Sequence, residues 1–254
     1  ITLGPPPHGG GPSLAASCER RAGPGGTIAG MCGRFVQALD PADYADYFGA
    51  GVAVGERLAP SYNVAPTDRV YAVAEHDDRR QLGSFRWGLV PWWAKDIKIG
   101  ARHINARAET VATKAAFKDS FARKRCIIPA DGFFEWERRP EGGKLPHYIH
   151  RPGQPIGLAG LWASWRDPQT EERLTSCTII TTEPNDLLAP IHNRMPVILG
   201  PEHWDAWLDR DFADLDELAA MLQPAPEALL AEYPVSTLVN SVKNNFAQCI
   251  EPLR

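Results

Sequence analysis

After residue 31 the apolar positions fall in short alternating runs more often than in stripes of helical spacing, the mark of strands with one buried face. The pattern predicts strands at 84–90, 126–129, 132–137, 146–150, 156–165, 175–182, 195–199 and 233–240. A helix should open at Asp40, where Asp caps and Pro41 fills the first turn, with Tyr44, Tyr47 and Phe48 as its apolar face. A longer amphipathic helix is expected over 109–124, carried by Val111, Ala115 and the stretch from Phe117 to Phe121, with shorter helices at 201–208 and 214–222. Strands outnumber helices and do not alternate with them. That excludes a doubly wound sheet and predicts an α+β class: one domain over residues 31–254, an antiparallel or mixed barrel-like β-sheet with flanking helices.

Residues 1–30 break the pattern. Gly4-Pro5-Pro6-Pro7-His8-Gly9-Gly10-Gly11-Pro12 and Gly23-Pro24-Gly25-Gly26 have almost no apolar surface to bury and are expected to be disordered. The stretch lacks the apolar core of a secretory signal. It is read as an extension upstream of a true start at Met31, or as a propeptide. No apolar run approaches the ~20 residues that span a bilayer. The five cysteines are scattered, odd in number and without C-x-x-C spacing, so neither a disulfide framework nor a metal site is implied and a reducing cytoplasm suits the chain. The net charge of −4 argues against bulk attraction to nucleic acid, yet between Arg86 and Arg138 there are 11 Lys/Arg against 6 Asp/Glu, a local basic face.

Chemistry-bearing residues cluster in five places. Met31-Cys32-Gly33-Arg34-Phe35 would leave Cys32 N-terminal once Met31 is removed, with an α-amine and a thiol on adjacent carbons. Such a pair condenses with an aldehyde to a thiazolidine; an ordinary start followed by a buried Cys is the plain alternative. In His103-Ile104-Asn105-Ala106-Arg107-Ala108-Glu109 an extended backbone points Asn105 and Arg107 to one face, unless they are surface polars before a helix. Glu135, between Phe134 and Trp136, sits where desolvation raises a carboxyl pKa and suits it to proton transfer; otherwise it lines a solvated face with Glu137. His192 stands two residues from Arg194, a natural phosphate ligand, in a turn before a strand. The adjacent Trp92 and Trp93, flanked by Pro91 and near Lys95, can stack on bases or pack half-buried.

These segments, in this order and together with Tyr62-Asn63-Val64-Ala65-Pro66-Thr67 and Val239-Asn240-Ser241-Val242-Lys243-Asn244, resemble the SRAP family (SOS-response-associated peptidase, the abasic-site processing proteins) over 31–253. The resemblance implies covalent trapping of abasic sites in single-stranded DNA by an N-terminal cysteine, together with self-processing that exposes it, in a protein that need be no more than a monomer. By motif position Cys32 would be the nucleophile, Asn105 would orient it, His192 would help open the abasic sugar and Glu135 would shuttle protons. Arg34, Arg107 and Arg194 would contact phosphates, and Trp92 and Trp93 would stack at the lesion or a strand junction. No metal or organic cofactor is implied. One departure stands out: thirty residues precede Met31, whereas the family's cysteine follows the initiator directly. The loop from Asp96 to Ala101 also spaces the tryptophans widely from Asn105. Two other readings compete, a Cys-His-Asn thiol hydrolase acting on peptides or amides and a non-catalytic single-strand-binding module.

Overall fold

Thirteen strands and four α-helices form among residues 32–52 and 57–253, the part of the chain that the computed structural model describes. The predicted disorder of residues 1–30 falls outside these residues. In chain order they are β1 (Arg34–Gln37), α1 (Pro41–Tyr47), β2 (Gly51–Val52), β3 (Ser61–Val64), β4 (Arg69–His76), β5 (Arg79–Trp87) and β6 (Asn105–Arg107). There follow α2 (Lys118–Arg123), β7 (Arg125–Ala130), β8 (Gly132–Arg138), β9 (Lys144–His150), β10 (Ile156–Arg166) and β11 (Arg173–Thr182). The last are β12 (Met195–Pro196), α3 (Trp204–Leu208), α4 (Leu215–Ala220) and β13 (Ala231–Pro234).

The class is α+β, as the strand-dominated pattern predicts. Strands β11, β10, β7, β4 and β5 pair in sequence, and a parallel contact of β5 with β11 (Arg86 and Trp87 opposite Ser176 and Cys177) closes them into a barrel. Closure removes the exposed edges that an open sheet would carry. Strands β12 and β6 add to β11, and a second sheet of order β13-β9-β8-β1-β3 lies beside the barrel. Alternation then divides the core. Phe133 on β8 and Phe35 on β1 join the cluster that holds barrel residues Cys126, Ile128 and Cys177, while Phe134 and Val36 face the opposite way. The helices cover a third cluster around Phe121, Ile127 and Trp207. No described helix is long and apolar enough to cross a membrane.

Asp40 caps α1 by accepting from the Ala42 amide, and Pro41 takes the first position as expected. The helix expected over 109–124 is broken: after a 3-10 turn at Ala108–Thr110 the chain runs in turns until α2 begins at Lys118. Thr113 bonds its hydroxyl to the Thr110 carbonyl, the local competition that disfavours helix interiors. Burial of Val111, Phe117 and Phe121 follows the core and not one helical stripe. The strand expected over 233–240 stops at Pro234; a 3-10 turn follows at Thr237–Asn240, capped by Ser236. Strand 195–199 shortens to Met195–Pro196, with Ile198 making an isolated bridge to Leu158.

Two close approaches place the functional segments. Gly88 has φ +122°, and a Cβ there would lie 2.7 Å from the Gly100 carbonyl oxygen, so the chain after β5 packs directly on the turn leading to β6. The buried Trp87 indole donates to the Ile104 carbonyl (2.9 Å), fixing the residue before Asn105. Gly132 starts β8 where a Cβ would come within 2.5 Å of the Ile149 carbonyl oxygen and 2.6 Å of the Tyr148 ring. Gly132→Ala is therefore expected to destabilise the fold by roughly 1–3 kcal/mol, the usual range for overpacking, because neither backbone nor buried ring can retreat freely. Urea denaturation checks this, and an unchanged midpoint would show that β8 and β9 are not packed as described.

Candidate active site

Four of the residues singled out by chemistry meet where the inner face of the second sheet abuts the barrel. Cys32, just ahead of β1, is fully buried among the apolar residues of the inner core. Asn105, first residue of β6, is held by parallel pairing with Ile179 of β11 and donates its amide to the Cys32 carbonyl (2.9 Å). Glu135 enters from β8, two residues beyond Phe133 and on the same face, and is 2 % exposed. His192 comes from the loop between β11 and β12, with Nδ1 3.8 Å from Glu135 Oε2.

Burial dictates the protonation states. Desolvation pushes the Glu135 carboxyl up to about 8; the Cys32 thiol and the Lys144 ammonium pull the other way but do not cancel it. Burial likewise pushes the Cys32 thiol well above its usual range, and the adjoining Glu135 carboxyl adds to the effect. His192 is lowered, first by desolvation and further by the positive charges of Lys144, Arg138 and Arg194, against the opposing hydrogen bond to the Arg194 backbone. Near neutrality the centre therefore holds a thiol, a protonated carboxyl and a neutral imidazole. Two buried oxygens, Asn105 Oδ1 and Glu135 Oε1, have no hydrogen-bond partner among the described residues. No group of His, Cys, Asp and Glu suited to a metal occurs among the described residues.

Arg34 is half-buried, with NH1 donating to Asn63 Oδ1 and the Val239 carbonyl (both 2.8 Å) and NH2 to Asn240 O (3.4 Å). Arg107 is exposed at the end of β6. Arg194 grips Glu109 through both guanidinium nitrogens (2.6 and 3.0 Å) and donates to the Thr181 carbonyl (2.6 Å). Trp92 and Trp93 stand out of the surface, 65 % and 44 % exposed, on a loop pinned by the buried Trp165 indole donating to the Ala94 carbonyl. Sequence reasoning missed three supporting residues. Asn63 satisfies Arg34 and gives its amide to carbonyls of Val239, Ser241 and Asn244. Lys144 lies beyond the basic stretch ending at Arg138, but pairs with Arg138 in register across β8 and β9. Glu109 belongs to the Asn105 segment, yet its partner Arg194 is 85 residues away and no local signal links them.

The class that the fold and the site define is an α+β protein in which a closed barrel is flanked by a second sheet and a buried thiol, carboxyl and amide and a partly buried imidazole converge between them. The chain belongs to the SRAP family: residues 31–242 match the family described as SOS response associated peptidase. It is 44% identical over 223 residues to abasic site processing protein YoqW of Bacillus subtilis (strain 168), covering 87% of this chain and 99% of that protein. It is 34% identical to abasic site processing protein YedK of Escherichia coli (strain K12), over 88% of this chain and 100% of the relative. Abasic site processing protein HMCES of Gallus gallus is also 34% identical, over 78% of this chain and 67% of its own length. A crystal structure of a protein from Bacteroides thetaiotaomicron superposes with a TM-score of 0.80 at 26% identity, covering 88% of this chain and all of the other.

A carboxyl whose folded pKa exceeds its ordinary value of 4.5 keeps its proton while the unfolded chain loses one, so stability falls as pH rises from about 4.5 to about 8. Glu135→Gln, always neutral, should escape this loss. Urea denaturation at pH 5 and pH 8 should show the wild type losing stability relative to the variant at the higher pH. The same pH dependence in both would mean that Glu135 is ionised throughout.

Proposed function

We propose that this protein is an abasic-site processing protein: once Met31 and whatever precedes it are removed, Cys32 forms a covalent thiazolidine with the aldehyde of an abasic site in single-stranded DNA. The observation that carries this reading is the convergence on Cys32: the Asn105 amide on its carbonyl (2.9 Å), the Glu135 carboxyl against its thiol, and His192 Nδ1 3.8 Å from Glu135 Oε2. A terminal α-amine has a reference pKa of about 7.7–8.0, which leaves a nucleophilic fraction near neutrality.

The residues then have separate tasks. The neutral His192 ring takes the C1′ hydroxyl proton and delivers it to the ring oxygen, opening the sugar to its aldehyde. The amine adds to C1′, and water departs with a proton from Glu135, leaving a Schiff base. The thiol sulfur adds to the same carbon while its proton passes to Glu135, and the former imine nitrogen ends as the ring amine. One water is released overall. A carboxyl titrating near 8 can both give and take a proton in this range. Arg107 is the exposed cation for a phosphate; Arg34 and Arg194 retain unused N–H donors beside their structural bonds and would share them with the backbone of the strand. Exposed Trp92 and Trp93 offer π-faces to unpaired bases.

A Cys-His-Asn hydrolase is less well supported. It needs a thiolate, and both burial and Glu135 push the Cys32 thiol away from one. The nearest acidic contact of the His192 ring is Glu135, and Asn105 binds the Cys32 backbone and not the imidazole.

Protein beginning at Cys32, mixed with a single-stranded oligonucleotide carrying one abasic site, should give a slow-migrating band on a denaturing gel that survives heat. Acetylating the α-amine should abolish the band. Cys32→Ser should leave only a product trappable by borohydride. A band that persists after acetylation would establish thiol-only chemistry and overturn the proposal. Arg107→Ala should weaken binding of the strand and reduce the slope of log affinity against log salt by about one. An unaltered slope would remove Arg107 from the contact set.

A further inference from the structure

The His192 ring is held by main chain. Its Nδ1 lies 3.1 Å from the Arg194 carbonyl oxygen and 3.2 Å from the Arg194 amide nitrogen. A protonated Nδ1 donates to the carbonyl, and an unprotonated Nδ1 accepts from the N–H. Both states are served with the ring in one place, provided that the backbone of Arg194 does not move. Arg194 is fixed by its own side chain. Glu109 takes both ends of the guanidinium (2.6 and 3.0 Å), and the Thr181 carbonyl of β11 takes a further N–H (2.6 Å). The guanidinium keeps this pose with its Nε buried and without a partner among the described residues, and Glu109 and Thr181 set its orientation.

We infer that Glu109 is a positioning residue for His192, acting through Arg194 to hold the imidazole against Glu135 during proton transfer. The inference rests on the proposed role of His192 at the abasic sugar. The Glu109 carboxylate bonds to Arg194, and it is held below the usual range chiefly by that bond. A bidentate carboxylate–guanidinium pair is planar and directional, which suits a group that must fix an orientation and not merely a charge. The charges that face His192 are Glu135 and Arg138 from β8, Lys144 from β9 and Arg194 from its own loop. Removing Glu109 strips Arg194 of its counter-charge and adds to the positive field on the ring.

Three readouts test this with protein beginning at Cys32. In ¹⁵N-histidine spectra of the DNA-free protein, Glu109→Ala should lower the His192 titration midpoint by a few tenths of a pH unit, the direction that an unmasked neighbouring cation imposes. Single-turnover crosslinking at saturating abasic DNA should slow about tenfold, a fraction of the range for general acid–base assistance, while affinity for an intact strand stays within about threefold. Glu109→Gln, which keeps one acceptor for Arg194, should fall between. In combination, Glu109→Ala and His192→Ala should be no slower than His192→Ala alone, since a positioning residue has nothing left to position. Additive losses, or an unmoved His192 titration, would overturn the inference. So would an unchanged rate with tighter strand binding, which would make Glu109 a competitor for the phosphate site of Arg194. Absence of any crosslink by the wild type would defeat the proposed function instead, and the spectra would still decide the role of Glu109.

Discussion

A carboxyl group at 2 % exposure must be neutral, paired or both, because an isolated ionised carboxylate in apolar surroundings is too poorly solvated to persist. Glu135 meets this constraint by holding its proton up to about 8. Its neighbours follow from it. The Cys32 thiol stays protonated beside it, and His192, desolvated and facing Lys144, Arg138 and Arg194, stays neutral. The centre is thus a reservoir of protons more than of charges. Chemistry that makes and breaks bonds to hydroxyl, amine and thiol in turn is suited by that property, because a carboxyl titrating near 8 can give up its proton in one step and regain it in the next.

The fold creates the constraint by geometry. Register between β8 and β9 sets Glu135 opposite His147, and the absence of a side chain at Gly132 lets the start of β8 lie against the end of β9. Parallel pairing of β6 with β11, just beyond the residues of β11 that pair with β5, delivers Asn105 to the Cys32 carbonyl. The carboxyl and amide thus arrive on two different strands and the thiol from the segment just ahead of a third. The aromatic pair follows another rule: Trp165 anchors the loop at Ala94, leaving Trp92 and Trp93 outside the core, where hydrophobic burial alone would not have put them.

Strands such as 132–137 and 156–165 were legible in the sequence because alternation and bounding Gly or Pro mark them directly. The helix over 109–124 was misjudged because Val111, Phe117 and Phe121 satisfy a helical spacing while being buried through turns, a case where tertiary packing overrides periodicity. Residue type and local company marked Cys32, Asn105, Glu135 and His192 as candidates. Their convergence could not be read this way, since nothing local states that β6, β8 and the loop before β12 meet. The arginines show the same limit. Arg34 and Arg194 looked like free phosphate ligands, yet each is engaged by a residue remote in sequence, Asn63 and Glu109. Of these three arginines, Arg107 is the exposed one.

The most direct measurement is the protonation state of Glu135 itself, by isotope-edited infrared difference spectroscopy of the carboxyl in wild type against Glu135→Gln. The account predicts a protonated carboxyl band present at pH 7 that titrates near 8 and is absent from the variant. A Glu135 already ionised at pH 6 would contradict it, and with it the assignment of proton transfer at the centre.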